Sequence, residues 1–158
     1  MTLYAESSAV LSWLLGQPLG DAVWRSFQRA EGVFTSDLTL VEADRTLHRL
    51  AATGELDFAH AAEARARFEN VAATWVVHRI TPRVVDRSRG AFPREPIRSL
   101  DAIHLATALV IRDVRPDLSV LSLDQRLREN AVALGFEVVP DGPRDEKPEP
   151  SAGWPAES

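Results

Sequence analysis

The sequence predicts an α/β protein with a mostly parallel central sheet covered by helices on both faces. Its apolar pattern switches repeatedly between the two-residue period of strands and the longer period of helices. Such alternation is typical of parallel strands joined by helical crossovers. Apolar residues make up 45% of the 158 residues and charged residues 26%. This composition and length predict one globular domain with a sizeable core.

Five short apolar runs have the composition of strands and are bounded by turn or helix-capping residues. They span residues 2–5, 33–35, 75–78, 120–121 and 136–139. Parallel strands of a sheet end at the same edge, so the residues that follow these runs are expected to be neighbours.

Seven segments between and after the strands have helical periodicity and helix-boundary signals. They span residues 7–15, 18–31, 38–52, 58–72, 82–89, 99–112 and 124–134. We expect Ser7 or Ser8 to cap the first helix and Pro18 to begin the second. Thr81 and Pro82 are an N-cap followed by proline at the first helical position. Helix 99–112 is apolar around most of its circumference, which predicts a central buried helix.

The composition excludes several kinds of site. The chain has no cysteine, so disulfides, thiolate zinc sites and cysteine nucleophiles are impossible. Any metal must therefore be bound by oxygen or histidine. Glu6 stands where a signal peptide would need an apolar run, and no membrane-length apolar stretch occurs. We expect a cytoplasmic protein with no membrane partner.

Charge and proline content divide the chain near residue 140. Residues 141–158 contain four prolines, five acidic and two basic residues, which predicts a disordered acidic tail after a domain of residues 1–140. The net charge of −5 would repel nucleic acid, but residues 79–98 hold six arginines and two acidic residues. A polyanionic partner would be attracted to that stretch.

Four acidic residues stand at the predicted carboxyl edge of the sheet. Glu6 follows the first strand, Glu42 lies one turn into the helix after the second, Asp101 is in the first turn of helix 99–112, and Asp124 follows the fourth strand. Each has an ordinary interpretation alone: an acid favoured by a helix dipole, or a solvated residue paired with Arg45. As a cluster they would repel one another unless a cation neutralises them.

The chemistry of this cluster predicts a divalent metal. Carboxylate ligands without cysteine favour Mg²⁺ or Mn²⁺. Two such ions about 4 Å apart would hold a phosphodiester, generate hydroxide on one side and stabilise the leaving oxygen on the other. That is the chemistry of a nuclease.

The segments that carry these acids are similar to the four acidic motifs of PIN-domain ribonucleases. They span residues 3–10, 36–42, 99–108 and 121–127. The small size most resembles VapC-type toxins of bacterial type II toxin–antitoxin systems. The resemblance implies a three-layer α/β/α domain, Mg²⁺-dependent endonucleolytic cleavage of RNA, frequent homodimerisation and inhibition by a small antitoxin.

The resemblance also assigns roles to individual residues. It makes Glu6, Glu42, Asp101 and Asp124 the catalytic metal ligands. It places the hydroxyls of Ser8 and Ser122 near the metal or its waters; helix capping and a surface hydroxyl are the alternatives. The first motif of the family usually carries aspartate. The longer side chain of Glu6 therefore leaves open a second function, a PIN-like binding module with weakened catalysis.

Other residues near the motifs have two interpretations each. Arg83, Arg87 and Arg94 are candidate contacts for RNA phosphates, and the alternative is a solvated basic helix face. His104, three residues after Asp101, is interpreted as a hydrogen-bonded core histidine rather than a general base. A nuclease acting on DNA flaps is less favoured, because the chain has little room for an arch that grips a duplex.

Overall fold

The computed structural model describes residues 1–141 and contains five strands and seven helices in that range. The strands are β1 (Thr2–Ala5), β2 (Gly32–Ser36), β3 (Val76–His78), β4 (Leu118–Leu121) and β5 (Val138–Val139). The helices are α1 (Ser7–Leu14), α2 (Gly20–Arg29), α3 (Asp37–Ala52), α4 (Phe58–Ala72), α5 (Pro82–Ser88), α6 (Ser99–Arg112) and α7 (Gln125–Ala133). The predicted tail lies outside the described residues except for Asp141, and its disorder stays a prediction.

The five strands form one sheet in the order β3-β2-β1-β4-β5, and every neighbouring pair is parallel. Strand β1 is central: Leu3 pairs with Val33 on one side and with Ser119 on the other. The prediction of a mostly parallel sheet is confirmed. Parallel strands require crossovers, and the helices between them supply these connections.

Side chains alternate between the two faces of the central strand. Leu3 and Ala5 pack with residues of α1, α2, α3 and α4 on one face, whereas Tyr4 packs with residues of α5, α6 and α7 on the other. All three side chains are fully buried. Two apolar cores separated by a sheet make the three-layer α/β/α arrangement.

Helix α1 begins differently from the prediction. Its N-cap is Glu6, not Ser7 or Ser8: Glu6 has extended backbone angles, and its carboxylate accepts a hydrogen bond from the backbone N–H of Ser8. The capping position accepts any side chain with a suitably placed oxygen. Because glutamate is an uncommon N-cap, the residue preferences of that position predicted Ser7 or Ser8 instead.

Helix α2 begins at Gly20 and not at Pro18. The preceding residues form a turn in which the Gln17 N–H donates to the Ser12 carbonyl and the Gly20 N–H to the Gln17 carbonyl. A Cβ atom at Gly20 would lie 2.7 Å from the Ser12 carbonyl oxygen. Glycine therefore permits the close approach of α2 to the end of α1.

The fold brings four helix starts to one edge of the sheet. Strands β1, β2 and β4 lead into α1, α3 and α7 at their carboxyl ends, and α6 begins beside them. The side chains of Ser36 and Asp124 cap α3 and α7 there. Within residues 1–141, no helix combines the length and apolar character that crossing a membrane requires.

Candidate active site

A cleft of about 310 Å³ lies at this edge and is lined by all four predicted acidic residues. Glu6 comes from the end of β1, Glu42 from α3, Asp101 from the first turn of α6 and Asp124 from the start of α7. A larger cavity between α3 and α4 contains none of them. The residues best suited to metal chemistry are therefore in the smaller cleft.

The carboxylate of Glu6 is held by three serines. Its Oε1 accepts hydrogen bonds from the Ser7 hydroxyl at 2.7 Å and the Ser8 N–H at 3.0 Å. Its Oε2 accepts from the hydroxyls of Ser8 and Ser122, the latter at 2.7 Å. Only 4% of the residue is exposed. These bonds satisfy both oxygens of the buried carboxyl group and fix its position.

Glu42 is held by a buried histidine. The Nε2 atom of His104 lies 2.6 Å from Oε2 of Glu42, and its Nδ1 lies 2.8 Å from the Tyr4 hydroxyl. A carboxylate can only accept, so Nε2 carries a proton and donates to Glu42. The Tyr4 hydroxyl also donates to the hydroxyl of Ser36 at 3.2 Å. Burial raises the pKa of Tyr4 well above its usual value, which keeps that hydroxyl protonated.

Arg98 joins the other two acids. Its Nε donates to Oδ2 of Asp101 and its Nη2 to Oδ2 of Asp124, both at 2.8 Å. The arginine side chain is 60% exposed, whereas those of Asp101 and Asp124 are 11% and 26% exposed. One guanidinium thus forms ion pairs with two partly buried carboxylates, one in the first turn of α6 and one at the N-cap of α7.

The surroundings of Glu42 and Asp101 shift the pKa values of these two acids in opposite directions. Burial alone would raise the pKa of Glu42, but the hydrogen bond from His104 and nearby positive charge outweigh it, so the pKa lies below its ordinary value. Burial raises the pKa of Asp101, and the charge of Asp124 adds to this while Arg98 opposes it. A further cation near Asp101 would therefore favour its ionised form.

The donor set suits a hard divalent cation. Among the described residues, ligand atoms of Glu6, Glu42 and His104 lie within 4.8 Å of one another. Asp101 and Asp124 line the same cleft. The imidazole of His104 is already bonded, because its Nε2–H donates to Glu42. Carboxylate oxygens are the ligands that Mg²⁺ and Mn²⁺ prefer. The residues present fit such an ion.

The predicted hydroxyls lie where the cleft begins. Ser8 and Ser122 both donate to Glu6, and the two hydroxyl oxygens are 3.3 Å apart. Ser8 also accepts from the backbone N–H groups of Leu123 and Asp124. Ser122 is fully buried, which excludes a surface hydroxyl. A contact of either serine with a metal or its waters stays a prediction.

The three predicted RNA-contacting arginines do not line this cleft. Arg83 pairs with Asp113, and Arg83 and Arg87 line a separate pocket with the last turns of α6. Asp113 is twelve residues after Asp101, which corresponds to about 18 Å along the helix. Arg94 lies in the loop before α6, where its backbone bonds to Asn130. Contact of these three with RNA stays a prediction.

Two residues at the site were not among those predicted for it. His104 is buried and hydrogen-bonded, as the sequence interpretation had it, but its bond to Glu42 was not foreseen. Arg98 was counted only within the basic stretch. Its position three residues before Asp101 was the available signal, because side chains at that spacing meet at a helix start.

Comparison with known protein families gives a match over most of the chain. The model of the PIN domain family matches residues 3–133. The chain is 32% identical to Ribonuclease VapC35 of Mycobacterium tuberculosis over 142 residues, covering 89% of this chain and 97% of that protein. It is 33% identical to Ribonuclease VapC46 of the same organism over 138 residues, covering 87% and 95%.

Solved structures of similar fold include VapC20 of Mycobacterium tuberculosis, described as a toxin that cleaves the sarcin-ricin loop. The TM-score is 0.57 and the identity 17%, with 85% of this chain and 95% of that chain covered. VapBC2 of Rickettsia felis, solved with a DNA fragment from its promoter, gives a TM-score of 0.57 at 6% identity and covers 88% and 98%. At these identities the likeness concerns the fold.

Proposed function

This chain belongs to the PIN domain family, and from that premise we propose that it is a metal-dependent endoribonuclease and the toxin of a toxin–antitoxin pair. The observation that carries the proposal is the cleft that Glu6, Glu42, Asp101 and Asp124 line together. Relatives whose length this chain covers almost completely are named ribonucleases, which supports RNA as the substrate.

The four acids share one part in the proposed reaction, and their neighbours hold them in position. Glu6, Glu42, Asp101 and Asp124 would together hold Mg²⁺ or Mn²⁺. When bound, such ions activate a water and stabilise the negative charge that develops on a phosphodiester. His104 keeps Glu42 in place through its Nε2–H, and the serines around Glu6 keep that carboxylate oriented.

The proposed partners follow from the family and its activity. RNA is the proposed substrate, and a small antitoxin protein the proposed inhibitor. A crystal structure of similar fold contains VapBC2 with promoter DNA, which supports an antitoxin partner for this fold. We further propose that the protein acts in the cytoplasm, where RNA substrates are found. We also propose that it forms a homodimer, which light scattering would test.

The proposal is tested by RNA cleavage and by metal binding on the same preparation. The protein should cleave a single-stranded RNA with Mn²⁺ or Mg²⁺, and EDTA should abolish cleavage. For a dissociation constant near 1 mM, 10 mM metal should stabilise the fold by roughly 1.4 kcal/mol, visible as a rise in melting temperature. An equal ionic strength of KCl is the control. The absence of both metal binding and cleavage would refute the proposal.

A second candidate function, a PIN-like binding module, is favoured by the bonding of Glu6. Each of its carboxylate oxygens already accepts two hydrogen bonds. A metal would have to compete with these donors for the same lone pairs. If RNA or a partner protein binds but no metal-dependent cleavage occurs, this second function is the correct one.

A further inference from the structure

The guanidinium of Arg98 lies between two carboxylates of the cleft. Its Nε and Nη2 atoms each lie 2.8 Å from one oxygen, the first on Asp101 and the second on Asp124. These acids come from two helices, α6 and α7. The two contacts use two different nitrogens of one planar group, which makes Arg98 a bridge.

The backbone places Arg98 at the solvent side of the cleft, where its side chain can move away from the two acids. The residue precedes α6 with extended angles, φ −77° and ψ 152°, and its side chain makes no capping hydrogen bond with the backbone N–H groups of the helix. Its side chain is 60% exposed, while Asp101 below it is 11% exposed. The guanidinium therefore covers the acids from the solvent side and can rotate into water without disturbing the core.

We propose that Arg98 is a built-in counter-ion that occupies the metal site of this protein and must be displaced when a divalent cation binds. The inference rests on the proposed metal site at Asp101 and Asp124. In this role Arg98 lowers the affinity of the site for metal, because a cation binds only when both ion pairs of Arg98 break.

Charge and geometry both prevent the Arg98 guanidinium and a divalent cation from binding Asp101 and Asp124 at the same time. The two carboxylates that accept from Arg98 are among those proposed to bind the cation, and Mg²⁺ approaches its ligands to about 2.1 Å. A guanidinium kept at hydrogen-bond distance from the same carboxylates would lie only a few ångströms from a doubly charged ion. At that separation the repulsion is substantial even near a protein surface.

A purely structural role gives the opposite expectation. If Arg98 only ties α6 to α7, removing it would loosen Asp101 and Asp124, and metal binding would weaken or stay the same. If Arg98 is a competitor, removing it leaves two acids without a counter-ion, so the metal-free protein becomes less stable and the metal binds more tightly. The sign of the change in metal affinity separates the two roles.

The test compares Arg98→Gln with Arg83→Gln by titration calorimetry with Mn²⁺. Arg83 is a matched control because it also forms an ion pair, with Asp113, about 18 Å along α6 from the cleft. Exposed ion pairs each change an equilibrium by about 1.5- to 5-fold. We therefore expect Arg98→Gln to lower the Mn²⁺ dissociation constant between about twofold and twentyfold, and Arg83→Gln to leave it unchanged.

A second readout is the melting temperature in EDTA, which should fall for Arg98→Gln and recover on adding Mn²⁺. Unchanged or weaker Mn²⁺ binding by Arg98→Gln, with binding by the unsubstituted protein, overturns the inference and leaves the proposed metal site standing. Failure of both proteins to bind Mn²⁺ overturns the metal site as well. Binding by Arg98→Gln alone supports the inference in its strongest form.

A lysine variant covers the case in which Arg98→Gln does not fold. Arg98→Lys keeps the charge but carries a single nitrogen, which cannot take the positions of both Nε and Nη2 of the planar guanidinium. We expect its Mn²⁺ affinity to rise, by less than that of the glutamine variant. No rise in this folded variant would contradict the competition.

Discussion

The Nε2 atom of His104 lies 2.6 Å from Oε2 of Glu42, and this bond connects the buried helix α6 to the acid of α3 at the cleft. On its other side the same ring meets the hydroxyl of Tyr4 from the central strand. A chain of three side chains thus runs from the middle of the sheet to the edge of the cleft. His104 is 1% exposed, so neither contact can be replaced easily by water.

Replacing His104 by phenylalanine should destabilise the fold by about 1–3 kcal/mol. Phenylalanine keeps a buried ring, but it cannot bond to Oε2 of Glu42, and it leaves the Tyr4 hydroxyl with Ser36 alone. The measurement is the free energy of unfolding in urea, and the control is His48→Phe at an exposed position of α3, which should change it by less than about 0.5 kcal/mol. Equal effects of the two substitutions would show that the hydrogen bonds contribute nothing.

The pKa of Glu42 predicts how stability depends on acid. Because this pKa is lowered in the folded protein, ionised Glu42 stabilises the fold above the ordinary value of about 4.3. That contribution is lost as the pH falls through the lowered pKa. In urea unfolding between pH 6 and pH 3, Glu42→Gln should therefore lose less stability than the unsubstituted protein. Parallel curves for the two proteins would contradict the role of His104 as its partner.

Asp101→Asn tests the proposed metal ligand with little change of shape. Burial raises the pKa of Asp101, so a neutral amide suits the metal-free fold, and its melting temperature in EDTA should stay within a few degrees. Cleavage of single-stranded RNA should fall about 10²-fold or more, because the charge that would hold the metal is gone. Activity retained within a few-fold would refute the assignment.

Asp44→Asn is the matched control for this substitution. Asp44 lies on α3 two residues after Glu42, and its carboxylate faces Arg65 of α4 at 3.4 Å rather than the cleft. The same aspartate-to-asparagine change there should leave cleavage unchanged. A similar loss in both variants would indicate a general effect of charge.

The sequence predicted the architecture because each part of it has a local signal. Strand and helix periods alternate, and parallel strands end at one edge. Convergence of Glu6, Glu42, Asp101 and Asp124 was therefore predicted from their positions after strands or near helix starts. Contacts between side chains had no such signal. Arg98 reaches Asp124 across 26 positions, and His104 reaches Glu42 across 62; only the packing of α6 against its neighbours brings these pairs together.

A chain ending at Pro140 should keep the melting temperature and metal response of the full chain. Residues 141–158 offer little apolar surface to bury, with four prolines and seven charged residues. Arg128 already donates to the carbonyl oxygens of Ser122 and Pro140 at the end of the described domain. Differential scanning calorimetry of the two chains is the measurement. A large loss of stability would show that the tail packs against the domain.

Glu6 gives the sharpest test of the site, since it both caps α1 and lines the cleft. Glu6→Asp withdraws the carboxylate by one methylene, roughly 1.5 Å, so it cannot keep all the bonds from Ser7, Ser8 and Ser122. Aspartate is a favourable N-cap, and the helix should remain. Because a misplacement of about 1 Å alters rates about 10²-fold, cleavage with Mn²⁺ should change measurably, in either direction.

Glu6→Ala removes the cap and the charge, so it should lower both stability and Mn²⁺ affinity. If the unsubstituted protein, Glu6→Asp and Glu6→Ala cleave RNA equally, Glu6 has no part in catalysis. If all three show only background cleavage while RNA or a partner protein binds, the chain is a binding module.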